Sequence, residues 1–368
     1  MKVNYNISAI IANNSLKKSD ERLSASSQKL SSGYKINQAK DDPSGIAIGK
    51  KMRAQIRALE QADQNSNDAI SVVETADGAL TEVHSMLQRM NELVVKAGTD
   101  TATDSDRQMI DEELQQLKNE IERVAKDTDF NGQTLLDGTF DRKGYTGNSK
   151  VEMLSASDTV PAGVYSMTIT AASVNGEIEI TAASLTGSTA SGSADFLASV
   201  QADLDGSRVT FADNNGNEIT MYATEAGTYN LQVDVTEIGP MRVQIGANEG
   251  QVLSIRIPEV SLVHMGMENT NTLTRDNAQD AIDEIAGGIA YISSVRSRLG
   301  AYQNRLEHTT NSLDLTQEEM TGAYSRIMDV DMAEEMTEYT NLQVLTQAGT
   351  SMVAQANERP QQVLQLLQ

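Results

Sequence analysis

The sequence has no cysteine and no tryptophan, and only four phenylalanines and five prolines among 368 residues. Without cysteine there can be no disulfide, thiolate metal site or cysteine nucleophile. Aromatic residues make up 4% of the chain, fewer rings than a compact enzyme uses to line a pocket. His84, His264 and His308 stand far apart, which argues against a histidine-built metal centre. Positive charge is scarce too: 29 Lys and Arg stand against 52 Asp and Glu, a net charge of −23. Nucleic acid demands a basic surface, as does anionic lipid, so this balance argues against both partners. No run approaches the ~18 apolar residues of a membrane helix. The N-terminus does not read as a secretory signal, because Asn4, Asn6, Ser8, Asn13 and Asn14 interrupt its apolar residues before a core of ~7 forms. The expectation is a cytoplasmic protein, or one that leaves by a route needing no cleaved signal.

The prolines, Pro43, Pro161, Pro240, Pro258 and Pro360, punctuate the chain and leave 44–160 and 259–359 free for long helices. Val73, Ala76, Leu80, Val83, Leu87, Met90, Val94 and Ala97 recur at alternating steps of three and four, the seam of a coiled coil. Asp42 before Pro43 predicts a helix start, and Gly98 a stop. Such a helix would run roughly 80 Å, wider than a single globular core. After Thr99–Thr103, the acids Asp104, Asp106, Asp111, Glu112 and Glu113 favour a second helix start, continued by Ile110, Leu114, Leu117, Ile121 and Val124. It stops at the turn signal Asp129-Phe130-Asn131-Gly132. A third long helix carries Ile282, Ile285, Ile289, Ile292, Val295, Leu299, Tyr302, Leu306 and Leu313.

The two ends are predicted to be helical as well. Leu16, Leu23 and Leu30 are seven apart, and Leu342, Leu345, Gly349, Met352 and Ala356 form a narrow seam whose small residues permit close approach. Residues 1–45 carry seven Lys and Arg against four acids, and residues 329–368 carry Arg359 against six, signs that favour pairing of the ends. The middle, about 139–240, reads as strands at Val164–Thr170, Glu177–Ala182, Arg208–Ala212, Glu218–Ala223 and Tyr229–Val235. A hairpin loop is expected at Asp213–Gly216 and a short helix at about Ala194–Leu204. Met241–Gly246 and Gln251–Ile257 read as a further hairpin.

Chemistry is hard to find. The adjacent acids Asp41-Asp42, Glu318-Glu319 and Glu334-Glu335 point ~100° apart on a helix and do not converge. The loop at Asp213 fails the spacing of a calcium loop. Gly187–Gly192 lacks the Lys-Ser/Thr ending of a phosphate loop. No catalytic, metal-binding or cofactor-binding residue is expected, and no cofactor.

The run from Ser31 to Gly45 (SSGYKINQAKDDPSG) closely resembles the N-terminal signature of bacterial flagellins. Asp129–Gly132, Gln244–Gln251 (QIGANEGQ), Leu299–Leu306 (LGAYQNRL), and the end from Gln347 to Asn357 (QAGTSMVAQAN) through Pro360 to Gln368 are similar to further flagellin segments, in the family's order. Glu358-Arg359 depart from the pattern, which more often has uncharged residues there.

The resemblance implies a mainly α protein: a long antiparallel coiled-coil rod closed by N- and C-terminal segments, with a small β-hairpin and an inserted β-rich outer domain. Its parts would be an inner-tube helix and spoke (1–44), rod helices (45–138), a variable outer domain (139–240), the rod hairpin and C-terminal helix (241–328) and a C-terminal inner-tube helix (329–368). It implies a homopolymer, the flagellar filament of swimming motility, with Leu16, Leu23, Leu30, Leu342, Leu345 and Met352 in polymerisation. Its partners would be an export chaperone and export apparatus, filament cap and junction proteins, and a vertebrate Toll-like receptor of innate immunity, contacted at Arg89, Leu93 and Glu113. A hook–filament junction protein shares the terminal architecture and is the alternative.

Overall fold

Asn6 caps α1 (Ile7–Ser32) by accepting the Ala9 amide on Oδ1 at 3.2 Å, and Gly33 ends it at φ 75°, with its N–H on the Lys29 carbonyl. Asp42 Oδ1 accepts the Ser44 amide at 3.0 Å, and α2 (Pro43–Ala97) begins at Pro43, where a missing N–H costs nothing. Thr103 and Asp106 form a reciprocal capping box at the start of α3 (Asp104–Asp127). At Asn131 and Gly132, φ is 53° and 76°, the left-handed pair of a two-residue hairpin joining β1 (Asp129–Phe130) to β2 (Gln133–Thr134).

The chain continues through β3 (Gly144–Thr146), β4 (Val151–Ala156), β5 (Gly163–Val174), β6 (Glu177–Ser188), β7 (Gln201–Asp205), β8 (Arg208–Ala212), β9 (Glu218–Ala223) and β10 (Gly227–Val235). The hairpin β11 (Met241–Gln244) and β12 (Val252–Ile255) leads to α4 (Leu262–Met265), α5 (Arg275–Met328) and α6 (Met332–Leu366). The structure is a computed structural model that describes residues 6–157, 160–174, 177–188, 200–213, 217–236 and 238–366. None of its helices is long and apolar enough to cross a membrane, among the described residues.

Two compact units result: Met1–Gln61 with Ser312–Gln368, and Ala62–Asn311. In the second, the α2 seam from Val73 to Ala97 is buried at every position the periodicity named. Facing it are Leu114 and Ile121 of α3, Ile285, Ile292, Val295, Leu299 and Leu306 of α5, and Leu253 and Ile255 of β12. The pairs Asp77–Arg296 and Glu74–Gln303 make α2 and α5 antiparallel, because positions fall along one helix as they rise along the other. Arg89–Glu113 and Ala97–Arg107 do the same for α2 and α3.

The middle region is a sandwich of two antiparallel sheets, β3-β10-β5-β6 and β4-β9-β8-β7, around a separate core of Tyr165, Ile169, Phe211, Met221 and Val233. Five strands were expected there; β3, β4 and β7 are additional. The helix expected at 194–204 is overturned where it can be seen. Residues 194–199 lie outside the described residues, and Gln201–Asp205 pair with β8 from Gln201↔Ala212 to Asp205↔Arg208. A turn with Gly206 at φ 55° returns the chain onto that ladder, whose hydrogen bonds outcompete a local helix. The loop at Asp213–Gly216 keeps only Asp213 among the described residues; its Oδ1 accepts the Asn217 amide at 2.9 Å.

Buried charge marks where the sandwich joins the helical core. Arg256 meets Asp141, both almost fully buried, and Asp141 also accepts the Arg142 amide. The Arg142 guanidinium donates to the carbonyls of Thr236, Ser157 and Val160, tying the entry and exit of the insertion together. Lys143 N–H bonds the Ile238 carbonyl and Thr236 N–H the Lys143 carbonyl, so the insertion's two ends are neighbours.

Candidate functional site

In the first unit, α1 and α6 lie antiparallel. Asn6 Nδ2 donates to the Ala356 carbonyl at 2.8 Å, Lys29 Nζ meets Glu335 Oε2 at 3.2 Å, and Tyr34 bridges to Asp329. The more covered positions of α1 are Ala9, Ala12, Leu16, Ser19, Leu23, Ser26 and Leu30, in alternating steps of three and four. Their counterparts on α6 are Glu335, Tyr339, Leu342, Thr346, Gly349, Val353 and Ala356, in the same rhythm. Half of this interface is small or polar. Gly349 suits the close approach of α1, since a Cβ there would stand 3.2 Å from Leu16 Cδ1 and press that side chain aside. Lys29 is the charge that balances Glu335, whose carboxylate is nearly sealed from solvent.

The structure brings Leu16, Leu23, Leu30 and Leu342 together along this seam. Leu345 and Met352 do not join them, which corrects the expected α6 seam at these two positions and leaves their expected part in polymerisation untouched. They lie beside it, 56% and 59% exposed, and the positions between Leu342, Gly349 and Ala356 are taken by Thr346 and Val353. Steps of 3-4-3-4 and of 4-3-4-3 both connect Leu342 to Ala356. Hydrophobicity favours the first, and the partner helix selects the second. The clue lay at Glu335, seven before Leu342, opposite the basic Lys29. Outside the seam, Ile7, Ile10 and Ile11 of α1 and Met336, Val344, Leu345 and Met352 of α6 are exposed. Exposed apolar side chains this dense on one helix pair mark a surface with a partner.

On the second unit, Arg89 and Glu113 meet across α2 and α3. Arg89 donates from Nη2 and Nε to Glu113 Oε1 at 2.9 and 3.1 Å, and from Nη1 to Glu92 Oε2 at 3.2 Å. The Glu113 hydrogen bond, then that of Glu92, holds the guanidinium above its ordinary pKa. Both partners are about half exposed. Leu93 does not belong with them. It is 4% exposed and packs with Ala97, Ile110 and Ala278, because α3 and the start of α5 close over the flank that the sequence leaves open. The presented surface is therefore a charged cluster over a buried leucine.

No group of three His, Cys, Asp or Glu side chains that could hold a metal occurs among the described residues. His264 is used structurally: Nε2 donates to the Leu154 carbonyl at 3.0 Å and Nδ1 meets Ser261 Oγ at 2.8 Å. Lys118, pushed down by burial, donates to the carbonyls of Glu268 and Thr270.

Known proteins resemble this chain in sequence. The bacterial flagellin N-terminal helical region matches residues 3–141, and the flagellin C-terminal helical region matches residues 282–367. The flagellin of Clostridium tyrobutyricum is 36% identical over 98% of this chain and all of its own length. That of Bacillus subtilis is 37% identical over the whole of both chains. The crystal structure of Bacillus cereus flagellin aligns with 68% of this chain and 88% of its own at 20% identity, with a TM-score of 0.38. With both terminal regions matched and full-length relatives above 30% identity, the chain belongs to the bacterial flagellins, a family of structural proteins of the flagellar filament and not of enzymes.

Proposed function

We propose that the chain polymerises into the flagellar filament that drives swimming, with α1 and α6 forming its inner wall. The observation that carries this reading is the division of the α1–α6 surface. One narrow, partly polar seam is used within the chain, while Ile7, Ile10, Ile11, Val344, Leu345 and Met352 are left outward. Burying a Leu, Ile or Met side chain is worth about 1.5–3 kcal/mol, so lateral neighbours that cover this row stabilise each subunit in the polymer. In this reading 1–44 and 329–368 build the inner tube, 45–138 and 241–328 the rod, and 139–240 the outer domain. Export proceeds through the flagellar channel without signal cleavage, with a chaperone at the C-terminal helix, and cap and junction proteins hold the filament's ends. The test is seeded polymerisation followed by electron microscopy. Long filaments are expected; short caps or rings would instead favour a junction protein.

A second role as ligand of the vertebrate flagellin-sensing Toll-like receptor is supported by the exposed cluster of Arg89, Glu92 and Glu113. Arginine is enriched among interface hot spots, and its neighbours here leave it accessible. Leu93 then acts from beneath, by setting the spacing of α2 and α3. Binding of the purified monomer to the receptor ectodomain tests this role, and no measurable binding would remove it.

A further inference from the structure

The 16 methionines are unevenly placed. In the helical core Met90, Met265 and Met267 are buried, as are Met167 and Met221 in the sandwich. Among the described residues, only Met109, Met332, Met336 and Met352 are exposed, and three of these four lie on α6. Met332 opens the helix, Met336 follows it one turn later, and Met352 stands beside Leu345 outside the α1–α6 seam. No cysteine is present to react first with an oxidant. The chain's accessible soft nucleophiles are therefore concentrated on the helix that assembly is proposed to cover.

We infer that Met332, Met336 and Met352 are a site of reversible oxidation that controls assembly, with peroxides or hypohalous acids as the reacting class. This rests on the filament reading of α6. With hypochlorous acid, the net step forms one S–O bond as the O–Cl bond breaks. The thioether sulfur loses two electrons, chlorine departs as chloride, and the proton passes to water. The product replaces a flexible apolar side chain with a polar sulfoxide, which methionine sulfoxide reductases return to the thioether. On the free monomer a sulfoxide at these positions faces water, so folding is untouched. Under a neighbouring subunit it would be buried without a hydrogen-bond partner, and the added copy would be disfavoured. Oxidant reaching the chain before assembly thus blocks incorporation, while the finished filament shields the same sulfurs.

The experiment exposes the full-length monomer to limiting hypochlorous acid, maps the sulfoxides by mass spectrometry, and measures seeded elongation. Expected are modification at Met332, Met336, Met352 and Met109 with Met90, Met265 and Met267 spared, an unchanged thermal transition, and elongation slowed at least roughly tenfold, the factor matching about 1.4 kcal/mol. The variant Met332→Leu/Met336→Leu/Met352→Leu should elongate equally before and after oxidant, and reductase treatment should restore the oxidised wild type, a readout that does not depend on the variant's behaviour. Oxidised wild type elongating at the untreated rate overturns the inference and leaves the filament reading standing. Sensitivity retained in the triple variant moves the effect away from α6 and overturns it also. Untreated monomer that never elongates removes the filament reading itself.

Discussion

Leu87 on α2 and Leu345 on α6 both sit in heptad patterns, yet one is fully buried and the other is 56% exposed. The difference lies in how many surfaces each helix is given. Around Leu87, α2 is covered by α3, α5 and the β11–β12 hairpin, so the seam is enclosed. The α1–α6 pair has one contact stripe, and among the described residues its outer row of Ile7, Ile10, Ile11, Val344, Leu345 and Met352 stays exposed. Helices shorter than a rod and held by a single seam derive little stability from propensity alone. One region is thus finished within the chain, and the other, in the proposed filament, would be finished by copies of the chain. That contrast separates residues that hold the fold from residues proposed to hold the polymer.

The widest gap should be seen by amide hydrogen exchange. In the monomer we expect the α2 seam around Leu80 and Leu87 to exchange only through global unfolding, and residues before Lys40 and after about Asp329 to show no lasting protection. Fixing each backbone residue costs about 1–2 kcal/mol, which one partly polar stripe does not offset. In the filament the terminal helices should become protected. Strong protection of α1 and α6 in the monomer would erase the comparison.

Removing the sandwich probes the same division from the other side. Joining Lys143 to Thr236 by deletion of 144–235 keeps the buried Asp141–Arg256 pair and should leave filament formation intact. Deleting 140–239 removes Asp141 from beside the buried Arg256, a loss of about 3–5 kcal/mol when a buried partner is deleted. Urea unfolding of the two variants measures the gap, and equal midpoints would show that the pair contributes nothing.

Single leucines give a smaller and cleaner contrast. Leu87→Ala should destabilise the monomer by about 2–5 kcal/mol, with little direct effect at a subunit contact. Leu345→Ala should shift monomer stability by less than about 0.5 kcal/mol and yet slow seeded elongation. If Leu345→Ala elongates normally, the outer row is not the assembly surface.

Arg89→Ala should also leave monomer stability nearly unchanged. Its ion pairs with Glu113 and Glu92 are solvent-exposed and screened, so unfolding should change little. Receptor binding should nevertheless weaken at least roughly tenfold, as for truncation of an interface arginine. Leu93→Ala should do the reverse and lower stability first, because Leu93 is buried. Unchanged receptor affinity for Arg89→Ala in surface plasmon resonance would remove Arg89 from the proposed contact.

What the amino-acid sequence determined alone was period and punctuation. The seam from Val73 to Ala97, the starts at Pro43 and Asp104, and the turn at Asn131-Gly132 follow from side-chain spacing, caps and positive φ, which are local in origin. Strands with strict alternation, such as Arg208–Ala212 and Glu218–Ala223, were legible for the same reason. The tertiary structure decided register and cover. Thr346 and Val353 line the α6 seam in place of Leu345 and Met352 because the fit of α1, with Lys29 on Glu335 and Leu16 on Gly349, outweighs the hydrophobicity of two residues. Leu93 is buried because α3 and α5 happen to close over it, and Gln201–Asp205 became a strand because β8 offered a ladder. A heptad leaves more than one stripe available. Which stripe is buried depends on the shape and charge of a helix hundreds of residues away, which no local window of sequence contains.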